Sequence, residues 1–104
     1  MNIQKMMKQA QQMQERMLAA QEELAEKTVE ATAGGGKVTV VATGAGDVVS
    51  IKIAKEIVDP EDVEFLEDLV LTAVKKAIDD GKAMAQAEMG KLTGGMGLPP
   101  GMGF

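Results

Sequence analysis

The chain has 104 residues, a net charge of −5, no cysteine, no histidine and only two aromatic rings, both phenylalanine. Its length suits one small domain, and the absence of cysteine excludes disulfides, thiol nucleophiles and cysteine zinc sites. The absence of histidine removes the commonest general base and metal ligand.

Two phenylalanines and no Trp or Tyr make a meagre core for a domain this small, which leaves little apolar surface to bury. Self-association relieves that shortage, so a homo-oligomer is expected. The opening MNIQKMMKQA has no long apolar run of the secretory type. No stretch reaches the roughly 18 apolar residues of a membrane span. A cytosolic location and no membrane partner are expected.

An acidic balance speaks against a nucleic-acid partner when taken alone, but the charge is unevenly spread. Residues 1–20 carry three basic groups and one acid, a net +2. Residues 21–70 carry four basic groups and twelve acids, a net −8, and residues 71–104 return to +1. The basic excess thus sits at the N-terminal end.

From Ile3 the apolar positions are Ile3, Met6, Ala10, Met13, Met17, Ala20 and Leu24, spaced alternately by three and four residues. This is a heptad seam. With abundant Gln, Glu, Ala, Met and Lys, and no Gly or Pro before Gly34, it predicts a helix from about residue 3 to 26. A seam of Met and Ala is thin and adaptable, and packing is its simplest use.

After Lys27 the period changes to two. TVEATA (28–33), KVTVVAT (37–43) and VVSIKIA (48–54) alternate apolar and polar residues and are separated by GGG (34–36) and GAGD (44–47). They predict a three-stranded antiparallel meander with one dry face. Val38, Val40 and Ala42 share that face on the second strand; Val49, Ile51 and Ile53 share a face of the third, opposite Val48, Ser50 and Lys52.

VDPED (58–62) then predicts a helix start, with Asp59 as N-cap and Pro60 as the first helical residue. Val63, Leu66, Val70, Ala73, Val74 and Ala77 fall on one helical face. Gly81 interrupts good helical sequence and is a candidate kink or break, with helix resuming over 82–89. The segment from Gly90 to Phe104 holds six glycines and two prolines, and residues 92–104 read as a flexible tail on a single domain spanning 1–91.

Catalytic chemistry finds no foothold. The acid pairs Glu22/Glu23, Glu61/Asp62, Glu67/Asp68 and Asp79/Asp80 lie in helical sequence, where adjacent side chains diverge by about 100°. GGGK (34–37) and GAGD (44–47) match neither phosphate-loop pattern and sit in hairpin turns. No enzyme activity, metal, cofactor or small-molecule substrate is expected.

On a helical wheel, Lys5, Gln9, Gln12 and Arg16 recur at spacings of four, three and four. They form one stripe beside the apolar seam, with Lys8 on its far shoulder. Lysine and arginine suit phosphate oxygens, and glutamine amides suit phosphate or base edges. The stripe is a candidate nucleic-acid contact; an ordinary solvated helix face is the alternative.

MKQAQQMQERM (7–17), LEDLVLTAVKKAI (66–78) and GMGLPPGMGF (95–104) closely resemble the YbaB/EbfC family of bacterial nucleoid-associated proteins, and the order of elements agrees over essentially the whole chain. The resemblance implies a cytoplasmic, nucleoid-located homodimer that holds duplex DNA between helices projecting from a joined body, with an effect on nucleoid organisation and gene expression. Carried over position by position, it implies DNA contacts at Lys5, Lys8, Gln9, Gln12 and Arg16, and a second set at Lys75, Lys76 and Lys82. Asp79 and Asp80 sit among those last lysines.

The expectation is an α+β domain: a long N-terminal helix, a three-stranded antiparallel meander, a long C-terminal helix and a Gly/Met-rich tail. Its expected partners are duplex DNA and a second copy. No helix-turn-helix is recognisable, so little sequence selectivity is expected. The competing reading is a dimeric protein-interaction module that uses its Met-rich helix or tail without touching DNA.

Overall fold

Helix α1 spans Ile3–Glu26, strands β1, β2 and β3 span Thr28–Ala33, Val38–Thr43 and Val48–Ile53, and helix α2 spans Val63–Gly94 in the computed structural model, which describes residues 2–94. A short 3-10 turn, Lys55–Ile57, precedes α2 and has no counterpart in the sequence reading. Asn2 caps α1 by accepting a hydrogen bond from the Lys5 backbone N–H at 3.2 Å.

The sheet is antiparallel in the order β1-β2-β3, as expected for a meander. Ala31, Val38, Val40 and Ala42 face α2 and are buried against its Ala73 and Ala77. Val29, Ala33, Ile57, Leu69, Val70 and Val74 pack around them. This core is small: its largest fully buried side chains are Val38 and Val40. Three consecutive left-handed glycines, Gly34 to Gly36, make the β1–β2 turn at φ of 64°, 66° and 90°.

A bulge breaks the β2–β3 register. Val41 pairs with Ser50 but Ala42 pairs with Val48, so Val49 is the extra residue. Val48, expected on the face opposite Ile51, therefore comes opposite inward-facing Ala42. Helix α2 lies across β1 and β2 and hardly reaches β3. All six β3 residues are consequently exposed.

The start of α2 differs from expectation. Asp59 and Pro60 belong to a turn, in which the Asp59 carboxylate accepts from the Glu61 N–H and its carbonyl accepts from the Asp62 N–H. The cap is Asp62, which accepts from the Phe65 N–H at 3.3 Å. The helix also runs through Gly81 without a break and past residue 89 to Gly94. The rest of the expected tail, residues 95–104, lies outside the described residues.

The molecule is long and thin, 71 × 25 × 16 Å. At about 1.5 Å per residue, α1 is roughly 36 Å long and α2 roughly 48 Å. They meet only near their ends remote from the α2 start, with Gln21 and Leu24 near Ala85 and Met89, and Arg16 and Ala20 near Leu92. Leu24 is the one buried residue of α1, and residues 3–12 are all exposed.

Candidate nucleic-acid interface

The first half of α1 is an arm. Its four polar candidates Lys5, Lys8, Gln9 and Gln12 are exposed along a helix with no acidic residue before Glu15. Helix pitch sets their spacing, so Lys5, Gln9 and Gln12 share one stripe and Lys8 flanks it. A rod of this width, about 10–12 Å with side chains, is matched to a DNA major groove of about 12 Å.

Arg16 is placed differently from the other four. It lines a cleft of about 380 Å³ between α1 and the end of α2, together with Ala19, Ala20, Glu23, Glu88, Lys91 and Leu92. It therefore stands at the root of the arm, where its guanidinium is near two carboxylate-bearing residues. Lys91 lies in the same cleft and is exposed. Lys91 is not among the residues expected from sequence because the expected helix ends at residue 89, whereas α2 continues to Gly94; its basic charge just past that helical stretch was the available signal.

Lys75, Lys76 and Lys82 are exposed on α2. Ala73, Ala77 and Gly81 define the buried face of the helix, and at 100° per residue Lys75 and Lys82 fall opposite it. Helical rise puts Lys82 about 13 Å from Lys91, and Lys5 about 16 Å beyond Arg16 in the other direction. The two basic sets are thus on the order of 30 Å apart along the molecule, and one protomer does not bring them together.

The arm is tied down at its base. The Lys27 ammonium donates to the Glu88 carboxylate at 2.9 Å, joining the end of α1 to α2. That hydrogen bond raises the Lys27 pKa above its ordinary value and lowers that of Glu88. The Gly44 N–H also bonds the Leu24 and Lys27 carbonyls, at 3.0 and 3.1 Å, fixing the β2–β3 turn to the helix end.

Among the described residues, no three potential metal-ligating side chains converge, and no helix is long and apolar enough to cross a membrane.

Comparison with known proteins follows this geometry closely. A "Nucleoid-associated protein" of Akkermansia muciniphila is 55% identical over 104 residues and matches the full length of both chains. One of the same description from Acetivibrio thermocellus is 56% identical over 101 residues, 97% of this chain and 89% of the relative. The fold is shared with a crystal structure of an uncharacterised Helicobacter pylori protein, with a TM-score of 0.68 at 21% identity, covering 92% of this chain and 97% of that one. The model of the YbaB/EbfC DNA-binding family matches residues 1–96, taking in both helices and the sheet, and the chain belongs to that family.

Proposed function

We propose that the protein is a nucleoid-associated homodimer that grips duplex DNA between its two α1 arms, with little sequence selectivity. The arm carries this reading: ten exposed residues, 3–12, that include two lysines and no acid, on an otherwise acidic chain. Like-charge repulsion keeps the acidic body off the phosphates while the arm reaches them. Arg16 and Lys91 add positive charge at the arm's root, and Lys75, Lys76 and Lys82 form a separate, secondary set.

The second copy fits at β3. That strand is a sheet edge, and its inward-facing Val48, Ile51 and Ile53 are 38%, 45% and 39% exposed because α2 stops short of them. Beside them the α2 residues Leu66, Val70, Leu71 and Val74 line an apolar hollow with Ile53. Two β3 edges paired about a twofold axis extend the sheet to six strands and cover both hollows. A protomer whose largest fully buried side chains are valines has strong reason to gain this burial.

A backbone-gripping arm has no base-reading requirement, so the predicted role is nucleoid organisation, with effects on gene expression that follow from it. Gel shifts with random and defined duplexes, each at several salt concentrations, test the reading. Binding to all duplexes with similar affinity and strong salt dependence is expected. Absence of any shift at low salt, with a protein partner retained instead, establishes the interaction-module reading in its place.

A further inference from the structure

The arm has two faces that point in opposite directions. Between Ile3 and Gln21 the charged residues are Lys5, Lys8, Glu15 and Arg16, and all fall between about 120° and 220° around the helix from Ile3. The opposite half holds Ile3, Met6, Met7 and Ala10 and no charge. Ile3, Met6 and Met7 are 68%, 52% and 66% exposed, with Ala10 exposed among them. An arm that lays its basic stripe on DNA therefore turns this apolar face away from the duplex. A dry face left open while the other is occupied calls for a second partner.

The pattern of the face fits another copy of itself. Ile3, Met6, Ala10 and Met13 occupy successive core positions of the heptad seam. With two arms antiparallel, Ile3 of one meets Met13 of the other and Met6 meets Ala10, so that the small alanine always faces a large side chain. The flanking Met7 and Gln9 each meet their own counterpart, and neither is charged. Parallel arms would instead oppose Ala10 to Ala10 and leave a gap. They would also bring together two bodies whose residues 21–70 each carry a net −8, whereas antiparallel arms hold those bodies at opposite ends. The antiparallel contact is twofold and self-complementary.

We propose that α1 arms of neighbouring dimers pair antiparallel through residues 3–13 while their basic faces hold DNA, so that dimers assemble along a duplex. The overlap is about 15 Å of helix, short enough that free dimers at micromolar concentration stay apart. Arms held on one duplex meet at a far higher effective concentration. The DNA half of this rests on the arm-borne binding proposed above; the pairing itself does not.

Met6→Gln with Met7→Gln keeps good helix formers on the arm and leaves Lys5 and Lys8 in place. Without DNA, the wild-type mass by sedimentation equilibrium is expected to rise above its micromolar value as the protein approaches millimolar concentration, and that of the double variant to stay flat. In gel shifts, the wild type should fill a duplex long enough for several dimers cooperatively, at several-fold lower protein than a duplex that holds one. The variant should bind both duplexes alike, with wild-type affinity for the short one. The chain has no cysteine, so Met7→Cys offers a single thiol. A short bismaleimide should join two such chains on the long duplex and not on the short one. Leu18→Cys, exposed on the same half of the helix but about 30 Å from its counterpart in this register, should be joined on neither. Circular dichroism checks that the variants keep their helix. A wild-type mass that stays flat, or cooperativity unchanged in the double variant, overturns the proposal. So does joining of Met7→Cys on the short duplex, because the arms then meet within one dimer. No shift with any duplex, together with a mass that rises for the wild type alone, overturns the DNA-binding role and upholds the arm pairing.

Discussion

The Gly81 backbone on α2 lies against the Thr43 carbonyl at the end of β2, so close that a β-carbon on residue 81 would sit 2.6 Å from that oxygen. Because the obstacle is backbone, no side-chain rotation relieves it. Gly81→Ala is therefore expected to destabilise by about 1–3 kcal/mol through overpacking, less the roughly 1 kcal/mol that alanine gains in a helix interior. The sign decides the matter. If Gly81 were only a weak point in the helix, alanine would raise the unfolding midpoint in urea; a clear fall is expected.

Leu24 anchors the arm. It is the one buried side chain of α1, and a β-carbon on Gly44 would come within 2.8 Å of its Cδ2. Leu24→Ala should cost about 2 kcal/mol, the low end for a buried leucine because the site opens to solvent on one side. Hydrogen exchange should show the last turns of α1 opening faster, while β2 and the middle of α2 keep their protection. Uniform loss of protection across the sheet contradicts the assignment of Leu24 to the arm's base.

These two contacts mark where sequence reading reaches its limit. The bounds of α1 and of the three strands were legible because each depends on a local period, 3.5 in one case and 2 in the other. The start of α2 was misplaced because Asp59-Pro60 and Asp62 both carry cap chemistry, and only the geometry shows that the first closes a turn. Gly81 read as a break because its reason lies 38 positions away at Thr43. The basic stripe was legible from spacing alone. That Arg16 faces α2 while Lys5 and Lys8 stand free on the arm depends on where α2 ends, which no local pattern records.

The Lys27–Glu88 tie should be pH-dependent. Glu88 has its pKa lowered from 4.5, so its contribution is present above the ordinary carboxylate range and is lost as pH falls through the folded value. Lys27 has its pKa raised from 10.5, so its contribution is present below that value and is lost as pH rises through the folded one. The effect is small because the pair is solvent-exposed. Thermal midpoints of the wild type and Glu88→Gln should differ slightly and constantly through the neutral range and converge at acid pH. A difference that grows on acidification contradicts the pairing.

Self-association through β3 should be visible as mass. Light scattering at micromolar concentration is expected to give twice the chain mass of 10.9 kDa. Ile51, 45% exposed in the protomer, can carry lysine without harm to a single chain but not in a dry interface. Ile51→Lys should reduce the mass towards that of one chain, whereas Thr32→Lys, exposed on β1, should leave it doubled. A doubled mass for a folded Ile51→Lys protein moves the interface away from β3.

DNA binding should depend on the arm lysines and fall steeply with salt. Lys5 and Lys8 are exposed and on the projecting part of α1, so two arms offer four ammonium groups to one duplex. If each neutralises one phosphate, log K against log salt should have a slope of about −3.6, and a fourfold rise in salt should weaken binding roughly a hundredfold. Lys5→Glu with Lys8→Glu should abolish the shift, since the new charges repel phosphate, while circular dichroism and oligomeric mass stay unchanged because neither residue touches the core. Lys75→Glu with Lys82→Glu should weaken binding far less, because those residues lie about 40 and 30 Å from Lys5 by helical rise. Replacing Gln9 and Gln12 by alanine asks whether the amides read bases. A flattened preference among duplexes shows base contact, and uniform weakening shows backbone contact, which is the expected result. Wild-type binding by a folded Lys5/Lys8 double variant removes the arm from the DNA interface altogether.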